Sequence, residues 1–258
     1  MRRYGYLFEQ LVRRELRQKY KGSVVGVLWY LVNPLVLMAI YGVMLGPLLK
    51  AVSQADYPIF ILAGLLVWLF FAQSLVAAST SLVDQQALIT KVAFPRETIP
   101  AAAVVVQLVP FFTMLVVLLP ISLGIRGNAT PWMLLLPVVI VCLVALTLGL
   151  SLVAAALHAY FRDVQPILNA AMLPWFFVSG VLFDLATLPG LSSHAWLRPL
   201  LRWVNPIAPF IQAFRALIYG GHFPGVPTMV YLAAAGGAAL ALGVGVFRRL
   251  SPELAVVI

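Results

Sequence analysis

The residues of this chain that could carry covalent or metal chemistry are few and poorly placed for it. The single cysteine, Cys142, sits inside an apolar run with no ligand spacing around it. It reads as a small packing residue and forms no internal disulfide. His158, His194 and His222 are far apart and have no zinc-type spacing. None of Lys19, Lys21, Lys50 and Lys91 follows a glycine, and no Gly-x-x-x-x-Gly-Lys-Ser/Thr occurs, so no loop is built to cradle nucleotide phosphates. The apolar runs hold essentially no ionisable residue, whereas proton- or ion-coupled carriers usually keep one in the membrane. No catalytic, cofactor or metal residue is therefore expected. What remains is mechanical: a polar island, Leu82–Pro100, in which Asp84, Lys91, Arg96 and Glu97 interrupt two long apolar runs. Such a loop is a handle by which something outside a bilayer can push.

The elements that must position this handle are membrane spans. The chain is 258 residues long, 63% hydrophobic and only 10% charged, against roughly 25% charged in an average soluble domain. A net charge of +9 scattered between apolar runs reflects the positive-inside bias rather than nucleic-acid binding. Six spans are predicted near Val24–Leu49, Ile59–Ser81, Ile99–Gly124, Trp132–Leu157, Pro166–Leu185 and Thr228–Phe247, each near the ~20 residues a bilayer requires. Pro34, Pro110 and Pro174 fall inside them; Pro34 and Pro174 are expected to kink the helices, whereas Pro110 reads as a tolerated membrane proline. The amide of Asn33 calls for a partner helix. With the N-terminus inside, only Lys50, Arg126, Arg198, Arg202 and Arg215 of the 17 Lys and Arg fall on the outer side, so both termini are expected in the cytoplasm.

Residues 1–22 read as an amphipathic helix lying in the membrane interface. Tyr4, Phe8, Leu11, Val12 and Leu16 share one face, and Arg13, Arg14 and Arg17 lie opposite. The first long apolar run begins only near Val24 and is too long for a signal peptide, so this segment is expected to stay on the protein. Glu15 projects near the apolar face, either to pair with Lys19 or to meet another partner. Between Asp184 and Pro227 the chain is too long for a bare loop. Periodicity predicts two helical pieces, His194–Val204 and Pro206–Tyr219, broken at Asn205-Pro206. Both are too short to span, and they are expected to form a re-entrant or interfacial hairpin on the outer side. In the last span Ala233, Gly237, Ala241 and Gly245 form a ladder of small residues that lets another helix approach. No internal repeat supports an inverted-repeat carrier.

Several stretches carry a resemblance. RQKYKGSVVGVLWYLVNPL (17–35), KVAFPRE (91–97), FRDV (161–164), NPIAPF (205–210) with Phe214-Arg215, and FRRL (247–250) resemble, in order, motifs of ABC-2-type permeases. The likeness is to the branch that exports lipid-linked O-antigen, capsule or teichoic-acid polymers. Departures lie in the apolar filler and in WFFVSGVLFD (175–184), where many relatives carry a proline-containing segment. The resemblance implies a homodimer bound to two copies of a separate ATPase subunit that holds the ATP and Mg, with no cofactor on this chain. It places the coupling helix at about Val83–Phe94, so Val83, Asp84, Gln85, Leu88, Lys91, Phe94, Pro95 and Arg96 would meet the ATPase, with Arg162 and Asp163 as a second contact. A capped helix end with a local ion pair is the plainer reading of that last pair.

The same resemblance makes the N-terminal helix a lateral gate for the lipid-diphosphate head, with Arg13, Arg14, Arg17, Lys19 and Tyr20 at its phosphates, although plain anchoring to membrane lipids explains the same charges. The outer hairpin, with Trp196, Trp203, Asn205, Pro206, Phe210 and Phe214, would be the outer gate. Rings suited to the faces of passing sugars are Trp68, Phe71, Trp175, Phe176 and Phe177, which an interfacial aromatic belt would also explain.

The expectation is therefore an all-α, polytopic subunit of a polysaccharide exporter in a bacterial inner membrane. It is a single transmembrane domain over 1–258: interfacial helix 1–22, spans one to five over 24–185, outer gate hairpin 186–227, span six over 228–247 and a cytoplasmic tail, 248–258. A drug-exporting permease and a passive channel or scaffold are the competing readings.

Overall fold

In hydrocarbon every backbone N–H and C=O must find a partner inside the protein, which leaves helices as the economical way to thread so apolar a chain. A computed structural model describes residues 2–20, 29–44, 56–91, 94–184, 196 and 199–251, and its regular elements there are helices throughout. They are α1 (Arg2–Tyr20), α2 (Trp29–Val43), α3 (Tyr57–Asp84), α4 (Gln86–Lys91), α5 (Thr98–Arg126), α6 (Leu136–Tyr160) with a 3-10 lead-in from Pro131, α7 (Val164–Val178), α8 (Ala208–Ile218) and α9 (Val226–Leu250). A π-helical turn, Leu200–Val204, precedes α8. Four segments are long and apolar enough to cross a membrane: Tyr57–Asp84, Thr98–Arg126, Pro131–Tyr160 and Val226–Leu250. The chain is a multi-pass membrane protein.

The pillar is α3. Its residues are apolar on every side rather than on one stripe, the pattern of a helix at the centre of a bundle, and it is buried almost continuously from Ile59 to Leu75. Around it pack α5, α6, α8, α2 and α7. The α6–α9 pair is held by backbone proximity. A Cβ at Gly236 would sit 2.7 Å from the Cys142 carbonyl oxygen, and one at Gly243 would overlap the Gly149 backbone. The face that meets α6 is thus Gly236 and Gly243. This corrects the expected ladder: Ala233, Gly237, Ala241 and Gly245 are exposed, with open space beside both glycines.

Two further expectations change. The helix of the fifth span closes at Val178, short of Leu185. Gly180, at φ 70, takes the left-handed conformation just past the helix end, where glycine is favoured. At 15 residues, α7 is about 22 Å long, short of the ~30 Å hydrocarbon core. The apolar face of α1 also lies against protein. Phe8, Leu11 and Val12 join Leu82, Ile89, Ile99, Leu152, Ala155 and Phe247 in a second cluster, so this face serves as a floor under the bundle. Both described ends of the chain, α1 and the close of α9, therefore lie at one end, called here the terminal end; Asp56, Arg126 and Tyr219 mark the distal end.

Candidate functional site

The polar island folds at the terminal end as a continuation of the pillar. Val83 and Asp84 form the last turn of α3, Gln85 is a buried joint, and α4 carries Leu88 and Ile89 into the second cluster. Lys91 ends α4; its side chain and residues 92–93 lie outside the described residues. Phe94 and Pro95 follow, and Arg96 donates from Nη1 to the Ser251 carbonyl oxygen. Next to it, Arg248 Nε donates to Glu97 Oε1 at 3.2 Å, and Tyr160 Oη donates to the Leu250 carbonyl at 2.9 Å. The island is thereby fastened to the end of α9. It is also fastened to α1: Gln85 Nε2 donates to Glu15 Oε1 at 2.6 Å, which answers what Glu15 meets. The turn Phe161-Arg162-Asp163 is exposed, and Asp163 makes no side-chain cap to α7.

On α1, Arg13 is paired with Glu9 one turn earlier, N to O 2.6 Å, while Arg14 and Arg17 are exposed. Lys19 Nζ donates to Gln107 Oε1 of α5 at 2.6 Å. Although the side chain as a whole is exposed, protein packed about the amine lowers its pKa to about 8, and the nearby Glu15 carboxylate only partly opposes this. The side chain of Tyr20 lies outside the described residues. Gln107 also lines, with Asn33 and Gln73, a small recess of about 30 Å³ between α2, α3 and α5.

The rings suited to a sugar path divide by burial. Trp68 and Phe71 are 5% and 0% exposed, wedged edge-on against Trp175 and Phe176 with centroids 5.2–6.3 Å apart. They present no surface to a passing chain in this conformation, whereas Phe177 is 47% exposed. Trp175 Nε1 donates to Asn205 Oδ1 at 2.9 Å, and Asn205 Nδ2 donates to Ser179 Oγ at 3.0 Å. The helix break at Asn205-Pro206 is thus tied to the end of α7. Of the expected outer gate, Phe210 and Phe214 are fully buried, Trp203 receives a hydrogen bond from Tyr231 Oη at 2.8 Å, and Trp196 is exposed. Residues 194, 195, 197 and 198 of the expected first gate helix lie outside the described residues.

Arg215, which in the sequence carries only a charge and a motif match, organises the distal half. It is only 7% exposed, and Nε donates to the Phe60 carbonyl at 3.1 Å. Nη1 donates to the Gly180 carbonyl at 2.6 Å, and Nη2 to that of Val181. The guanidinium carbon lies 3.5 Å from the Phe60 ring centroid. Gly64 makes room: a Cβ there would come within 2.5 Å of Nη2. The carbonyls after α7 have no helical partners, and a rigid fork of five N–H donors satisfies them. Beside this fork a cavity of about 370 Å³ opens at the distal end, lined by Asp184, Arg202, Gln212, His222 and Thr228 among others.

A family model described as ABC-2 type transporter matches residues 6–219. The chain belongs to that family. An O-antigen export system permease protein, RfbA, of Myxococcus xanthus is 31% identical over 252 residues, covering 98% of this chain and 95% of its own. A protein of the same description from Klebsiella pneumoniae is 28% identical over 84% of this chain and 83% of its own. The polysialic acid transport protein KpsM of Escherichia coli is 24% identical over 93% of this chain and 92% of its own. In this ABC-2 chain the Myxococcus similarity takes in α9 as well, which lies beyond the family match. Sequence reasoning missed the contacts of Glu15, Gln107 and Arg215. Gln107 and Arg215 are polar residues amid apolar ones and Glu15 is an acid amid basic ones, signals that mark the residue but not its partner.

Proposed function

We propose that this chain is the transmembrane subunit of an ATP-driven exporter that moves a lipid-linked polysaccharide across a bacterial inner membrane. The observation that carries the proposal is similarity, over nearly the whole chain, to two proteins, one named an O-antigen export permease and one a polysialic acid transport protein. What the two names share is a glycan cargo. ATP and Mg belong to two copies of a separate subunit, since this sequence has no phosphate-cradling loop. The terminal end faces the cytoplasm, in keeping with the excess of Lys and Arg there.

In this reading the partner pushes on Val83–Arg96 and on the exposed Phe161–Asp163 turn. The push passes through Gln85 to α1 and through Arg96 and Glu97 to α9. Most of α7, and much of α2, is exposed in one copy. A second copy covers these faces, and the seam between the copies, with Trp175 and Phe177 nearby, is the polymer's path. Arg14 and Arg17 stand ready for the lipid diphosphate at the membrane surface. Deleting the chain from its host tests the proposal. Lipid-linked glycan should accumulate in the cytoplasm while the surface polymer disappears, with restoration by the chain only when its ATPase partner is present. Undiminished surface polymer would overturn it.

A further inference from the structure

We infer that the distal cavity beside Arg215 is a saccharide-binding pocket that takes one or two sugar rings of the polymer as it leaves. The inference rests on the export reading above. The cavity is bounded by the end of α7 at Ser179 and Gly180, by α8 through Gln212 and Arg215, and by the start of α9 through Thr228. Its volume of about 370 Å³ falls at the lower end of the ~300–1,000 Å³ usual for small-molecule sites. That is room for a short saccharide and too little for a globular partner.

Its lining is chemically specific. Arg202, Asp184 and Gln212 are planar side chains that between them offer paired donors and paired acceptors, the groups that match adjacent ring hydroxyls, each of which both gives and takes a hydrogen bond. His222 and Thr228 add smaller polar groups, and Phe183 adds a flat apolar face for the C–H side of a pyranose. A lipid tail would set these polar groups, among them Arg202 and Thr228 in contact with each other at 3.5 Å, against hydrocarbon. A metal ion is not favoured, because Asp184 is the lone carboxylate among the described lining residues, which contain no metal-type cluster. Nor is a polyphosphate, because Arg215 is committed to backbone carbonyls and Arg202, which also reaches Thr228 Oγ1 at 3.5 Å, is the only other Arg or Lys among the described lining residues.

The position gives the pocket a role. It lies where α7, the helix assigned to the path, ends. Asn205, which closes the neighbouring break, is bonded to Ser179 of the pocket wall. Weak retention of an emerging ring would keep the chain from sliding back between strokes of the ATPase. Such a site must hold loosely, because a tight one would stall export.

The test uses the purified complex with its ATPase subunits in nanodiscs free of glycolipid. Saturation-transfer NMR would be recorded with free maltose, mannobiose and galactobiose, and with sorbitol as a control. At least one disaccharide should bind in preference to sorbitol. Arg202→Gln combined with Gln212→Ala should weaken that binding about tenfold or more, while the complex still elutes intact. Asp184→Asn serves as an independent variant, with loss expected in the same direction. In cells, pulse-labelled surface polymer should appear more slowly in both variants. Binding no better than sorbitol, or unchanged in both variants, would overturn the pocket. So would a signal seen only when a galactosyl diacylglycerol is added to the discs, which would assign the site to a lipid headgroup. Failure of the pocket would leave the deletion phenotype of the exporter intact; failure of the export reading would show as surface polymer that survives deletion.

Discussion

At the residue scale, Arg215 and Lys19 show how a charge can be kept inside an apolar protein. Arg215 exchanges water for backbone carbonyls and a ring face, an arrangement in which removing the donor strands the acceptors. Each stranded group costs about 1–3 kcal/mol. Arg215→Met should therefore lower the apparent melting temperature of the solubilised protein by about 6 °C or more. Arg215→Lys should restore little, since an ammonium lacks the planar fork; an unchanged melting temperature in both would refute this role. Lys19 behaves oppositely. With its pKa lowered to about 8, the folded state holds its proton less tightly than the unfolded chain does. The cost of that charge is present in full below pH 8 and is recovered as pH rises from about 8 toward 10.5. Acylation of Lys19 followed by mass spectrometry should reach half its maximal rate near pH 8. A midpoint near that of a free lysine would show that the amine is not desolvated.

At the element scale, the contrast within α9 separates what sequence can tell from what it cannot. Small residues recur along this helix on more than one face, and spacing alone singled out Ala233, Gly237, Ala241 and Gly245. The face that meets α6 is the one with Gly236 and Gly243, because Gly149 lies opposite it on a helix far away in sequence. Gly243→Ala should destabilise the protein or force α6 and α9 apart, whereas Gly237→Ala, with nothing near it, should be tolerated. Equal effects in a thermal-shift assay would contradict the assigned face. The periodicity of α1 was legible in the same way, and its docking surface was not: Phe8 and Leu11 announce an apolar stripe, but whether lipid or protein covers it depends on Leu82, Ile99 and Phe247. The early close of α7 at Val178, two residues before Gly180, was hidden by an apolar run that continues past the helix. The polar island itself stood out, since charges between apolar runs have few other uses. Its link to α9 can be tested by charge exchange. Glu97→Arg should reduce transport-linked ATPase stimulation, and adding Arg248→Glu should restore part of it. The pair is exposed on one side and worth about 1 kcal/mol at most, so the expected effect is on coupling, with stability little changed. No rescue in the double variant would break the proposed linkage.

At the scale of the whole molecule, burial is uneven. The pillar α3 is enclosed, yet α7 buries only Phe176 among its 15 residues, and Leu173, at 64% exposure, projects from it. If two copies meet along this helix, Leu173→Cys in a background with Cys142→Ala should give an oxidant-dependent dimer on non-reducing gels. An outward substitution on α9, Leu242→Cys, should give none. Equal cross-linking at both positions would mean that the copies do not meet along α7.

The side chain of Arg215 joins the start of α3, the segment after α7 and the body of α8 at a single point. Three segments riveted together in this way must travel as one block, so in the proposed dimer a widening large enough to pass a glycan would come from the copies swinging apart rather than from these three segments of one copy parting.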